Sequence, residues 1–329
     1  MKRSALLSRR LLLALALLGT TLSAQAGLHV SGSQLKEGNG NVFVMRGINL
    51  PHAWYVDRSP QALVSIAATG ANTVRLVLGS GARWRRTPAS QVADLIARCK
   101  ALGLIAVLDV HDTTGYGDDG AASTLSSAAD YWIGIREALI GQEDYVVINI
   151  GNEPFGNALK PGEWVNQHAA AIAKLRKAGL THALMVDAPN WGQDWQYYMR
   201  DNAAALLALD SQRNLIFSVH MYEVFNSDDK VDKYMSAFHR NKLALVVGEF
   251  GAEHRGAKVA AAAIMRSAQA YGVGYLGWSW SGNEGRNRSL DVVNGWDASS
   301  RSSWGTALIA GSDGIMATSR RATVFGRAD

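Results

Sequence analysis

Eight apolar runs of strand length recur along this chain, each followed by a segment with helical spacing, and few folds accommodate that alternation. The runs are Val42 to Asn49, Thr73 to Leu78, Leu104 to Val110, Tyr145 to Gly151, His182 to Asp187, Leu215 to His220, Leu243 to Glu249 and Val273 to Trp278. They are near-continuously apolar, as strands buried on both faces are, which points to a parallel sheet covered by helices. Ser59 with Pro60 and Thr87 with Pro88 mark the starts of two helices, while Gly70, Gly103, Gly141, Gly179 and Gly272 are placed to end helices. No Pro/Ser-rich linker, charge block or short repeat interrupts residues 27–329, so one domain is expected there. Eight strand–helix units in about 300 residues select a closed (β/α)8 TIM barrel over a doubly wound sheet. Before the first run, Leu28 to Val30 and Gln34 to Lys36 flank Ser31-Gly32-Ser33, which predicts a small N-terminal β-hairpin able to plug the bottom of the barrel. After the eighth, a loop from Ser279 to Ser302 is long enough to shape a rim site.

The first 26 residues read differently from the rest. A basic start (Lys2, Arg3, Arg9, Arg10), an apolar stretch Leu11 to Leu18 and a small-residue site Ala24-Gln25-Ala26 predict a secretory signal peptide cleaved after Ala26, and hence an extracellular or periplasmic protein. The apolar stretch falls well short of the roughly 20 residues that span a bilayer, so no stable membrane partner is expected. The Arg9-Arg10 pair leaves both the general and the twin-arginine export routes open.

Of the 33 basic residues, four lie in this leader and no acidic residue does, leaving 29 against 28 acids. The mature chain is nearly neutral, which gives no electrostatic reason to expect a nucleic acid partner. A lone cysteine, Cys99, excludes an internal disulfide. It falls in helical phase with Val92, Leu95 and Ile96, as a small buried hydrophobe would.

Chemistry collects at the ends of the runs. Glu153 follows the fourth and Glu249 ends the seventh, each a carboxylate where a buried strand has no use for one. Parallel barrel strands open their carboxyl ends on one rim, so both acids should face one site, and paired carboxylates on a rim suit glycoside hydrolysis. Arg75 lies in the second run, His111 follows the third, Asn152 precedes Glu153, His220 and Tyr222 close the sixth, and Trp278 ends the eighth. Alone, each has a plain structural reading; together at one end of the barrel they describe a polar site.

The blocks Asn152-Glu153-Pro154, His220-Met221-Tyr222 and Gly248-Glu249-Phe250-Gly251 resemble those of glycoside hydrolase family 5. The likeness is greatest to the bacterial endo-β-1,4-mannanases of its subfamily 8. It extends through Val44 to Asn49, His52-Ala53-Trp54, Gly70 to Arg75, Val110-His111-Asp112, Asp130-Tyr131-Trp132, Asn190 to Gln193 and Gly277 to Trp280, covering about residues 28–310. Pro154 and Ser281 depart from residues common in the family, which bears on sugar contacts and leaves the catalytic groups in place.

The resemblance implies a retaining, two-glutamate double displacement on β-mannan, with Glu153 as acid and base and Glu249 as nucleophile, the latter kept ionised by Arg75 and a hydrogen bond from Tyr222. It also implies a substrate-binding set of Trp54, Arg75, His111, Asn152, His220, Tyr222 and Trp278, with Asn152 on the sugar 2-hydroxyl and Trp278 as the subsite floor. A monomer needing no cofactor and no metal is expected. Three other readings remain at this point: an endo-β-1,4-glucanase using the same catalytic set, a metal-dependent hydrolase using His111, Asp112, His220 and Glu249, and a non-catalytic sugar-binding barrel.

Overall fold

The computed structural model describes residues 27–160 and 162–326. The predicted signal peptide, residues 1–26, lies outside the described residues, as do 327–329.

Three short strands, β1 (His29–Ser31), β2 (Gln34–Lys36) and β3 (Val42–Phe43), form an antiparallel sheet. The expected hairpin is there, and it gains a third strand from Val42 and Phe43, which the sequence suggests as the start of the first barrel strand. The barrel itself is β4 (Arg46–Leu50), β5 (Thr73–Leu78), β6 (Ile105–Val110), β7 (Val146–Asn149), β8 (Leu184–Asp187), β9 (Leu215–Met221) and β10 (Leu245–Phe250), then a rim hairpin of β11 (Glu253–His254) and β12 (Ala257–Lys258), and finally β13 (Gly274–Gly277). The eight barrel strands close in sequence order, and every neighbouring pair is parallel.

Helices α1 (Ser59–Ala68), α2 (Ala89–Leu102), α3 (Leu125–Gly134), α4 (Glu163–Lys177), α5 (Tyr198–Leu209), α6 (Asp228–Arg240), α7 (Ala261–Tyr271) and α8 (Ser303–Ala310) follow the barrel strands in turn, and a single turn, α9 (Ile315–Thr318), closes the order. Among the described residues no helix is long and apolar enough to cross a membrane. Gly103 and Gly272 end α2 and α7 in the left-handed conformation, as expected. Ser59 does not cap α1. It sits in the first turn, where its hydroxyl meets His52 Nδ1 at 2.7 Å and the Tyr55 carbonyl at 3.2 Å. Cys99 is buried on the inner face of α2, and burial pushes its thiol up to about 12.

Alternation along the strands sorts the core into layers. On β6, Ala106, Leu108 and Val110 pack outward against the helices, while Ile105 and Val107 point into the barrel. There they join Val147, Met185, Ile216, Val246 and Leu276 from other strands, and Leu28, Leu35, Phe43 and Met45 cover this apolar layer from below. The small sheet is therefore the plug of the barrel floor. One step further along each strand the inward positions turn polar: Arg75 on β5, Asp109 on β6, Asn149 on β7 and Asp187 on β8, all fully buried. That layer is the base of the site.

Candidate active site

Two local irregularities aim the glutamates. Along β10 the register against β9 shifts between Val247 and Glu249. Val246 and Glu249 thus both face inward while Phe250 packs outward against Tyr275 and Trp304, a parity that a regular strand forbids. Gly248 sits at this shift, where a Cβ would lie 2.3 Å from Ser218 Oγ and 3.0 Å from His220 Nε2. On the other side of the cleft, Glu153 follows β7 with φ at +38°, a strained value for a residue with a side chain. Its N–H donates to Asp187 Oδ2 at 3.2 Å and its carbonyl accepts from the Gly115 N–H at 2.9 Å, which fixes the turn.

Arg75 is the hub beneath them. Its guanidinium donates to Glu249 Oε1 at 2.7 Å, Asn49 Oδ1 at 2.9 Å, Asn149 Oδ1 at 2.9 Å and Asn152 Oδ1 at 2.7 Å. It also lies 3.3 Å from Asp109 and 3.6 Å from Asp187. Burial lowers its pKa, but Asp109, Glu249 and Asp187 together more than offset this and raise it above the ordinary arginine value. A planar fork that satisfies four side chains at once is a task lysine cannot perform.

Glu249 has a second anchor, the Tyr222 hydroxyl, which donates to Oε2 at 2.7 Å. Burial pushes the Glu249 carboxyl up from its usual range, and the neighbouring cations His220 and Arg75 oppose that push. The expected contacts from Arg75 and Tyr222 are both present, with His220 as a third stabilising group. His220 is also the partner of Glu153: its Nδ1 stands 2.8 Å from Glu153 Oε1, with Glu249 Oε2 at 3.5 Å and Asp187 Oδ2 3.4 Å from Nε2. Burial would favour the neutral ring, but Glu249 and Asp187 hold His220 up at about 10, so it is an imidazolium at neutral pH. Asp187 in turn is held below the usual carboxylate range, burial being outweighed by His220 and Arg75. Glu153, His220 and Glu249 bring ligand-type atoms within 4.8 Å of one another, a spacing that a metal ion could also use.

His111 and Asn152 complete the wall. His111 Nδ1–H donates to Asp109 Oδ2 at 2.8 Å, and Nε2 faces Asn152 Nδ2 at 3.3 Å. Asn152 also donates to Thr114 Oγ1 at 2.8 Å, so its amide is held from both ends. The Trp278 ring stacks on His111 at 5.6 Å and its Nε1–H donates to Asn283 Oδ1 at 3.0 Å. Trp54, 38% exposed, meets His111 edge-on from the opposite side at 5.3 Å and continues to Trp84. All nine residues singled out in the sequence therefore gather at one cleft, but Arg75 and His220 are fully buried beneath it, where they hold the glutamates and have no surface to offer a substrate. The portion of the cleft beside the glutamates encloses about 570 Å³ and is also lined by Trp191 and Gln193, which the sequence marks only as part of a family-like block, and by Trp195, Glu223 and His254, which the sequence reading leaves out. Of the two departures noted above, Ser281 is a structural stitch, donating to the Val293 carbonyl at 3.0 Å and accepting from the Trp296 N–H at 3.1 Å.

A (β/α)8 barrel with two carboxylates facing each other at the carboxyl ends of its strands, one held by cations and one beside a histidine, has the form of a glycoside hydrolase. Residues 36–284 match the family described as cellulase (glycosyl hydrolase family 5), and the chain belongs to that family. It is 61% identical over 315 residues to a mannan endo-1,4-beta-mannosidase of Cellvibrio japonicus, covering 96% of this chain and 73% of that protein. A mannan endo-1,4-beta-mannosidase of Streptomyces lividans is 56% identical over 309 residues, covering 94% and 80%. Among solved structures, a beta-mannanase from Streptomyces thermolilacinus with mannohexaose superimposes with a TM-score of 0.90 at 50% identity, covering 93% of this chain and all of that one.

Proposed function

We propose that this enzyme cleaves internal β-1,4-mannosidic bonds of mannan, glucomannan and galactomannan by a retaining double displacement, as an exported monomer. The observation that carries the mechanism is the spacing of the two glutamates, whose nearest ligand-type oxygens fall within 4.8 Å. Inverting enzymes hold their carboxyl groups about 6.5–9.5 Å apart to admit a water, and this spacing fits the shorter, retaining arrangement.

In the first step Glu249 attacks the anomeric carbon while Glu153 gives its proton to the departing glycosidic oxygen, so the C–O bond breaks as the glycosyl–Glu249 ester forms. Glu153, now a carboxylate, then takes a proton from water, which displaces Glu249 and leaves the anomeric configuration unchanged. The anchors support this division of labour. Glu249 is fixed at both oxygens, by Arg75 and Tyr222, which orients it for attack. Glu153 meets the His220 imidazolium at Oε1 alone, which leaves Oε2 as the oxygen to carry the transferable proton. Asn152, its amide held by Arg75 and Thr114, directly precedes Glu153 and is the residue proposed to meet the sugar 2-hydroxyl, and Trp278 offers an aromatic face for a pyranose.

Mannan as substrate is supported by the relatives that are 56–61% identical over nearly the whole chain. Glucose and mannose differ at C2 alone, so the glucanase reading is separated by direct comparison. Purified enzyme assayed on mannan, glucomannan and carboxymethylcellulose should release new reducing ends from the first two at least about 10²-fold faster than from the third. Preference for carboxymethylcellulose would overturn the assignment. Absence of hydrolysis on all three would favour a non-catalytic binding barrel.

A further inference from the structure

We propose that His254 and Glu223 form a positioning pair that fixes the Tyr222 phenol, and through it Glu249, from the open side of the cleft. The inference rests on the reading of Glu249 as the reacting carboxylate. The Tyr222 hydroxyl donates to Glu249 Oε2 at 2.7 Å, so any rotation of the phenol moves or frees that oxygen. From below, Tyr222 packs in a small cluster with Val77, Trp278 and Leu290. Its other cover is the His254 ring, with centroids 4.4 Å apart and planes inclined by 30°.

His254 stands on the rim hairpin, whose two strands pair at only two positions, Glu253 with Lys258 and His254 with Ala257. So short a ribbon has little packing of its own to choose a rotamer for an imidazole. Glu223 supplies the choice: its Oε2 accepts from His254 Nδ1 at 2.5 Å. Glu223 directly follows Tyr222 in the chain, so the two rings, the carboxylate and one peptide link close a small ring of contacts. Gln193 braces it, donating to Glu223 Oε1 at 3.4 Å and accepting from the Val224 N–H at 3.2 Å. Burial would raise the Glu223 carboxyl, yet the His254 hydrogen bond holds it down at about 2, which keeps it an acceptor at any working pH.

The alternative roles differ in what they change. A pair that orients the nucleophile alters turnover, whereas a pair that binds sugar alters KM. His254→Ala and Glu223→Ala should each lower kcat on mannan about 10-fold with KM within about twofold. Glu223→Gln, whose amide oxygen still accepts from Nδ1–H, should recover most of that loss. In a Tyr222→Phe background, where the hydroxyl link is already gone, each alanine substitution should cost less than about twofold more. Glu223 is partly exposed, so thermal melting of Glu223→Ala should match the parent even if His254→Ala folds poorly. Equal losses in both backgrounds, or a raised KM at unchanged kcat, would overturn the positioning role while leaving the two-glutamate site intact. Full activity in Tyr222→Phe itself would bring down both this role and the anchoring of Glu249.

Discussion

The Nδ1 of His220 lies 2.8 Å from Oε1 of Glu153, and the same imidazolium sits within 3.5 Å of Asp187 and Glu249. One buried cation thus serves three carboxyl groups, which gives the site a pH signature. An unfolded histidine titrates near about 6.5, and His220 in the fold is held up at about 10. A raised folded pKa means that its stabilisation is fully present below about pH 6.5 and is lost as the pH rises through about 10. The melting temperature of His220→Gln should therefore trail the parent by about 5 °C or more at pH 6 and converge on it by pH 10.5. A gap that stays constant across that range would show a neutral His220.

Arg75 should be the least replaceable residue beneath the glutamates. Removing it leaves Glu249, Asp109 and Asp187 buried without their shared cation, so Arg75→Ala should cost about 3–5 kcal/mol in urea unfolding. Arg75→Lys keeps the charge but cannot hold Asn49, Asn149, Asn152 and Glu249 together. Its fold should survive while kcat falls about 10²-fold. Near-normal turnover in Arg75→Lys would mean that charge alone matters at this position.

Glu153→Gln keeps the size of the side chain and its contact with His220 but has no proton to give. Hydrolysis of mannan should fall by about 10² to 10⁴-fold. An aryl mannoside with an activated leaving group needs no protonation to depart, so its first, burst step should suffer far less. Equal losses on both substrates would assign Glu153 to some other task.

Much of this was legible in the chain, for identifiable reasons. The eight strand–helix units and the barrel plug follow from apolar runs and turn residues, and Glu153 and Glu249 announce themselves as acids at the ends of such runs. The same signal marks Asp109 and Asp187, whose part emerges only when Arg75 is seen to draw on both. Asn49 and Asn149 sit within strands, where an amide carries no excess charge to advertise a site. The register shift at Gly248 is a further gap, since no local pattern says on which side of a bulge the parity changes. Val42 and Phe43 read as barrel strand because an apolar run does not reveal where its pairing partner changes. Glu223 directly follows Tyr222, but His254 lies 31 positions further on, in a two-residue strand, and only the fold brings it onto both.

The central claim is that Glu249, gripped by Arg75 and Tyr222, forms a covalent bond to the sugar. A 2-deoxy-2-fluoro mannoside with a good leaving group slows breakdown of that ester more than its formation, so the glycosyl-enzyme should accumulate. Peptide mass spectrometry of the inactivated enzyme should place one 2-fluoromannosyl group on Glu249, with no labelling in Glu249→Ala, a variant that should also be nearly devoid of hydrolysis. An adduct on another residue, or substantial hydrolysis remaining in Glu249→Ala, would contradict the two-glutamate retaining mechanism.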